Sequence, residues 1–414
     1  MAALHTDSVT SLFHQKSLSV SYGSVEIKNL LFQDDILNLQ SNTDDLNRAN
    51  QVYKVFESVN RLKFHDEKSV WMSNGYNNAK VQLSEKDLKR TDEYKYLGDI
   101  ITPNNSYGRM LEARRASVRG VTAELCAILS SSSSSVTIKA IKAYFQAVVT
   151  PKLLLNCEAW SNLTMKNYQD LEIGQNISIK KLTRMPITTP SVLMRDELGL
   201  WSVKNQITMK KLTYLQRVLK MNNNITKTIL LEQLNMPGPT WLAEVTQKMK
   251  DLDITISLDD ISKMTKFRWK KMIRERITKL EITQNIQEQV NKTKGRRLAP
   301  PNMKMKKYLL DMKHSEAIIM LKLRTGMIDV RENFRSNFDD LMCPMCRIAT
   351  ETADHMMACT SYSSEPISLS NSDAIWSAGE SREDLIAMSV VAMTVTARLC
   401  ERDRCLVMGT SDEA

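Results

Sequence analysis

With 414 residues, 42% of them hydrophobic, and only 12 Gly and 10 Pro against usual shares of about 7% and 5%, the chain allows two or three largely helical domains. Its apolar runs fall short of the ~18 residues that span a membrane, no charged-then-apolar leader opens it, and seven Cys do not suggest a secreted disulfide scaffold, so a soluble, intracellular protein is expected. The net charge of +10 is uneven: 12 basic against 14 acidic residues over 1–100, 38 against 19 over 101–330, and 7 against 14 over 331–414.

The basic middle block points to a polyanionic partner, most simply nucleic acid, although basic outer faces on a helical protein give the same counts. In chain order, Leu18 to Val25 alternates as strand, turn, strand. Leu30-Leu31-Phe32-Gln33-Asp34-Asp35-Ile36-Leu37 then reads as two apolar strands with adjacent acids at the turn, a hairpin buried on one face. Carboxylates so placed suit divalent cations, which want hard oxygen ligands. Asp-Asp is also a common turn dipeptide. Ser41 to Leu62 has helical period, with Leu46, Ala49, Val52, Tyr53, Phe56 and Val59 on one face. Asn42 or Thr43 is its N-cap, and Asp44 and Asp45 favour the helix dipole. Leu62 to Met72 reads as a turn and a strand. Tyr94 to Ile101 sets Tyr-Leu-Gly before an apolar strand, and Gly98, with no side chain, would let a nucleic-acid backbone approach closely.

From Met110 the pattern is helical. Leu111–Leu129 carries Arg114, Arg115 and Arg119 on its polar side, Ser130–Ser135 reads as an exposed loop, and Val136–Val149 and Lys204–Met221 read as further helices. Lys263–Lys307 holds 15 Lys and Arg against three Glu, with Phe267 and Trp269 interleaved. A helix is expected over Phe267–Leu280 and coil around Gly295 and Pro300. Lys266, Arg268, Lys270, Lys271, Arg296 and Arg297 are candidates for phosphate contact, which releases counterions and is salt-sensitive. A solvated helix face with a basic linker has the same composition.

Cys343, Cys346, His355 and Cys359 follow as Cys-x2-Cys-x8-His-x3-Cys. Four N/S ligands at this spacing predict a closed, structural zinc site, with no position left for water. Cys126, Cys157, Cys400 and Cys405 lack such spacing and are expected to be packing residues. A last helix, capped by Ser381 with Asp384 three residues on, is predicted over Leu385–Leu399.

Several of these stretches resemble one family. Phe32-Gln33-Asp34-Asp35 resembles the Phe/Tyr-x-Asp-Asp hairpin of reverse transcriptases of non-LTR (LINE-type) retrotransposons, with Gln33 where the family more often has Ala. Tyr96-Leu97-Gly98 resembles that family's primer grip. Glu158-Ala159-Trp160, Thr189-Pro190 and Glu197-Leu198-Gly199 resemble its helical thumb. The Cys-Cys-His-Cys knuckle resembles the one that follows the thumb in elements with a restriction-like endonuclease downstream. The resemblance implies an α+β fold: a truncated palm over 1–101, a helical thumb and basic connection over 102–330, and a zinc knuckle with a helical tail over 331–414. It implies Mg2+ at Asp34 and Asp35 in a complete enzyme, Lys68 near an incoming triphosphate, structural Zn2+ at the knuckle, and an RNA template with a DNA primer as partners. A nuclear location is expected from the same resemblance.

Two-metal nucleotidyl transfer needs a further palm aspartate, and only 33 residues precede Asp34, none in a matching setting. The chain is therefore expected to be a C-terminal part with little polymerase activity alone, and to expose a sheet edge that invites aggregation. The alternative is a non-catalytic nucleic-acid-binding protein using the basic helices and the knuckle.

Overall fold

The computed structural model describes residues 13, 18–32, 35–65, 67–75, 80–83, 86–131, 136–222, 224–291, 298–367, 373–377 and 381–409. The strands are β1 (Val20–Tyr22), β2 (Val25–Ile27), β3 (Asn29–Phe32), β4 (Asp35–Asn38), β5 (Val70–Trp71), β6 (Gln82–Leu83), β7 (Lys86–Asp87), β8 (Lys89–Arg90), β9 (Tyr94–Tyr96) and β10 (Asp99–Ile101). Helix α1 (Thr43–Asn60) lies between β4 and β5. After the strands come α2 (Gly108–Ser131), α3 (Ile138–Tyr144), a π-turn (Phe145–Val149), α4 (Thr150–Leu153), α5 (Met165–Leu182), α6 (Ser191–Leu198) and α7 (Val203–Leu219). The rest are α8 (Ile225–Glu232), α9 (Trp241–Asp251), α10 (Leu258–Lys263), α11 (Lys266–Val290), α12 (Tyr308–Asp311), α13 (His314–Arg324), α14 (Ala353–Ala358) and α15 (Arg382–Gly409). Every sheet among the described residues is two-stranded. This mainly helical architecture with small sheets is compatible with an α+β class. The chain divides into two compact units, one of Met1–Glu112, Glu158–Leu163 and Lys211–Lys266, the other of Ala113–Cys157, Thr164–Lys210 and Phe267–Ala414.

In the first unit β3 and β4 form the expected hairpin, with Leu30 opposite Leu37, Leu31 opposite Ile36 and Phe32 opposite Asp35. Side chains alternate faces along a strand. Ile36 packs on a core of Phe13, Leu18, Ala49, Val52, Tyr53 and Phe56, while Leu30 and Phe32 are exposed. Helix α1 supplies four of those core residues and begins at Asn42, whose side chain accepts from the Asp45 N–H. Val59 departs from its expected place and is 73% exposed. Phe64 instead returns beside Phe56 and Tyr53 and closes that end of the core. Burial raises the Tyr53 phenol, against the pull of Asn29 and Asn38 at the base of the hairpin. Elsewhere in this unit Tyr107 packs on Trp160, Tyr214 meets Trp241 edge-on, and buried Lys211 pairs with Glu244 at 2.7 Å.

The second unit is helical and has a charged core. Helix α3 does not stop at Val149 as expected. Pro151 cannot donate to a carbonyl one turn back, and the chain widens into the π-turn before it and resumes as α4. Helix α11 likewise runs past Leu280 to Val290, burying a row four residues apart: Trp269, Ile273, Ile277, Glu281, Asn285 and Gln289. Trp269 is therefore core, contrary to its reading as an interleaved surface aromatic. Glu281 accepts from the Ser202 N–H and hydroxyl, and Glu172 accepts from the Val203 N–H, so two carboxylates satisfy the start of α7. Burial raises the Glu172 carboxyl against the lowering charge of Arg195.

Glu197, fully buried on α6, takes a two-point contact from Arg324 of α13 (Nε to Oε2 2.9 Å, Nη2 to Oε1 2.8 Å). The Tyr308 hydroxyl adds a third bond at 2.8 Å. Arg324 spends its remaining donors on the carbonyls of Ile375 and Ser377. Just beyond, Gly199 ends α6 in the left-handed region (φ +59°), where a Cβ would meet the backbone of Lys304 and Met305 at 2.6 Å. Gly199→Ala is expected to lose at least about 2 kcal/mol, the left-handed penalty plus a clash with backbone that has no rotamer to escape to. Denaturant melts check this, and a loss under ~0.5 kcal/mol would mean that segment 303–305 yields freely.

Candidate metal centre

The metal ligands come from two small pieces of the second unit. Met342 bridges Thr350 across a tight turn, the Cys343 N–H donates to the Ala349 carbonyl at 2.7 Å, and the Arg347 N–H donates back to the Cys343 carbonyl at 2.9 Å. Arg347 takes a left-handed conformation (φ 54°) to close this knuckle. The other pair flanks α14. Thr352 caps that helix by accepting from the His355 N–H at 2.9 Å, and Cys359 ends it by donating to the His355 carbonyl at 2.7 Å.

The ligating atoms of Cys343, Cys346, His355 and Cys359 all lie within 4.8 Å of one another. The sequence-predicted set is thus brought together in full. Tetrahedral zinc, with Zn–S about 2.3 Å and Zn–N about 2.0–2.1 Å, requires S···S near ~3.8 Å and S···N near ~3.5 Å. The Cys346 Sγ lies 3.3 Å from the His355 Nε2. The thiols are free, Cys343 and Cys359 are buried, and three sulfurs with one imidazole make a soft donor set. A Cys3His cluster of this size can hold a metal such as zinc. The Ile348 N–H, donating to Sγ at 3.4 Å, brings the Cys346 thiol down to about 6, while burial pushes Cys343 up.

Sequence reading missed what surrounds this cluster. Arg398 of α15 is fully buried. It donates to the carbonyls of Met356 (2.6 Å) and Cys359 (3.0 Å), and to the hydroxyl and carbonyl of Ser364. Its guanidinium also covers the Tyr362 ring at 5.0 Å. Three thiolates around a divalent ion would leave one negative charge, and the Arg398 guanidinium lies against this chain segment, donating to the Cys359 carbonyl at 3.0 Å. One turn on, Arg402 reaches the Asp329 carbonyl and Glu351. Val391 and Val395 continue at helical spacing into Arg398 and Arg402, so arginine in an apolar stripe was the available signal. Helix α15 starts at the expected cap, Ser381 accepting from the Asp384 N–H at 2.9 Å, and extends ten residues past Leu399 to Gly409. Of the remaining cysteines Cys157 is buried and Cys126 half-buried, whereas Cys400 and Cys405, expected as packing residues, are exposed on α15.

The other predicted site residues fall as follows. Asp35 opens β4 and is exposed, while Asp34 lies outside the described residues. Tyr96 ends β9, and Leu97 (φ 47°) and Gly98 (φ 90°) form the two-residue turn into β10. Two positive φ values match the turn that tight hairpins favour, with a leucine in an unfavourable place. Burial, and after it the charge of Asp35, raises the Tyr96 phenol. Lys68 is exposed in the turn after His65. On α2, Arg115 pairs with Asp170 at 3.1 Å, Arg114 is half-buried and Arg119 is exposed. Lys266, Arg268 and Lys271 are exposed on α11, Lys270 is half-exposed, and Arg296 and Arg297 lie outside the described residues.

Among the described residues no helix is long and apolar enough to cross a membrane. No protein-family model matches the chain. Over 152 residues, 37% of this chain, it is 22% identical to a Drosophila melanogaster protein described as "Probable RNA-directed DNA polymerase from transposon BS". That match spans 17% of the fly protein's length. The chain is thus distantly similar to a transposon-borne, reverse-transcriptase-like polymerase.

Proposed function

We propose that this chain is a nucleic-acid-holding part of an RNA-directed DNA polymerase of the non-LTR retrotransposon kind. In this reading 1–101 is the C-terminal part of a palm, 102–330 a thumb with a basic connection, and 331–414 a zinc-stabilised tail. Asp34 and Asp35 hold Mg2+ in the complete enzyme, Lys68 orients the triphosphate, and Tyr96, Leu97 and Gly98 support the primer end. Arg114, Arg115 and Arg119 on one helix, and the basic residues of α11 on another, meet the phosphate backbone. The observation that carries the reading is the pair of hairpins, β3–β4 beside Asp35 and β9–β10 around Leu97 and Gly98, formed by the two stretches on which the resemblance rests. The distant similarity to a transposon polymerase supports it. On its own the chain binds a primed template without extending it.

The test is binding of an RNA–DNA hybrid at rising salt. With about six phosphates neutralised, affinity is expected to fall roughly 1,000-fold between 50 and 200 mM salt, and Arg119→Glu to weaken binding and flatten the slope. Salt-independent binding would sink the proposal. Extension of the primer by this chain, abolished by Asp35→Asn, would overturn its inactivity alone. The second reading, a non-catalytic nucleic-acid-binding protein, is favoured by the metal cluster being complete within the chain. It predicts that Asp34→Asn and Asp35→Asn leave every measurable property unchanged, including Mg2+ binding.

A further inference from the structure

Helix α11 has two faces that differ in kind. Its buried row starts at Trp269 and steps through Ile273 and Ile277. At 100° per residue, the face opposite Trp269 holds Phe267, Lys271 and Arg274, with the half-exposed Lys270 at its edge. Phe267 is 78% exposed on that face, and Lys271 and Arg274 are exposed beside it. Among the described residues no ring contact engages Phe267 and no ion pair engages Lys270, Lys271 or Arg274. Between Lys266 and Lys279 seven Lys and Arg stand against the single acid Glu275. An exposed phenyl ring placed three, four and seven residues before three uncompensated cations has no role in packing this helix.

We infer that Phe267 is a stacking platform for an unpaired nucleobase, with Lys270, Lys271 and Arg274 holding the phosphates on either side of that base. This rests on the nucleic-acid reading above and adds single-strand selectivity to it. Paired bases in a duplex turn their faces to one another, so a lateral ring finds no partner there. Unstacked bases in a single strand expose a π-face to any aromatic ring, and a cationic track follows their backbone.

The experiment compares a labelled oligo(dT) strand with a blunt duplex of equal length, by fluorescence anisotropy at fixed salt, using the full chain. Phe267→Ala is expected to weaken oligo(dT) binding about 10-fold, within the range for loss of one base stack. It should leave duplex binding within about twofold, and Phe267→Trp should restore the wild-type value. An oligo(dT) strand with abasic sites should bind the wild type as weakly as the intact strand binds the alanine variant. Because Phe267 is exposed, the thermal melt of the variant should match the wild type, so a change in binding is not a change in folding. Retained binding with no effect of Phe267→Ala, or equal losses for strand and duplex, overturns the inference and leaves the nucleic-acid reading standing. Binding to neither form overturns both. If Phe267→Ala reduces binding only to anionic vesicles, the platform serves a lipid surface and the inference fails.

Discussion

Chelating the metal from Cys343, Cys346, His355 and Cys359 is expected to unfold the knuckle and loosen α15 with it. The four ligands hold together two short pieces, one bridge at Met342–Thr350 and the single turn-and-a-half of α14. Structural zinc contributes roughly 10–16 kcal/mol to isolated fingers, which rivals the ~5–15 kcal/mol of an entire domain. Cys343→Ser should have the same consequence, because its sulfur is fully buried and a hydroxyl is a poor zinc ligand. The effect should spread to α15, because Arg398 donates to the carbonyls of Met356 and Cys359, which are expected to shift when the cluster opens. Metal analysis should find one zinc per chain. Hydrogen exchange before and after chelation should show protection lost in 341–364 and in the second half of α15 together. Protein that carries no metal and keeps that protection would refute the assignment.

Arg324→Ala is expected to cost about 3–5 kcal/mol, the usual result of leaving a buried charge without its partner. Glu197 and Arg324 are both at 1% exposure or less, and the guanidinium also satisfies two backbone carbonyls. Arg324→Lys should be nearly as damaging, because an ammonium cannot make the two-point contact and still reach residues 375 and 377. Pairing Arg324→Met with Glu197→Gln should recover a large part of the loss, since the abandoned charge is then gone. A double-mutant cycle read by denaturant melts measures the coupling. If the single variant melts within ~1 kcal/mol of wild type, the cluster contributes less than its burial implies.

The sequence carried the local elements well. Alternation around Asp34 and Asp35 gave the hairpin, period and capping gave α1 with Asn42 at its start, and ligand spacing gave the metal cluster. It failed where a residue's role depended on a distant partner. Trp269 reads as a surface aromatic among cations until the strict spacing of the buried row on α11 assigns it to the core and Phe267 to the outside. The burial of Glu197, Arg324, Arg398 and Arg402 was not legible, because a lone side chain does not announce the carbonyls or the counter-charge it will meet. The end of α3 was misplaced for a related reason, since Pro151 breaks an α-helix but not one that first widens by a residue.

The bond between Glu197 and Arg324 spans 127 residues of sequence. A ribosome adding about 5–20 residues per second takes roughly 6–25 s to deliver the arginine after the glutamate. During that interval Glu197 is made and Arg324 is not, so the buried pair at the centre of the second unit cannot form. Until Arg324 arrives, burying Glu197 leaves a charge without its partner, and Arg398 likewise reaches the carbonyls of Met356 and Cys359 from 42 and 39 residues downstream. The order of synthesis therefore sets a waiting time during nascent-chain folding, in which a chaperone has access to surface that the finished protein never shows.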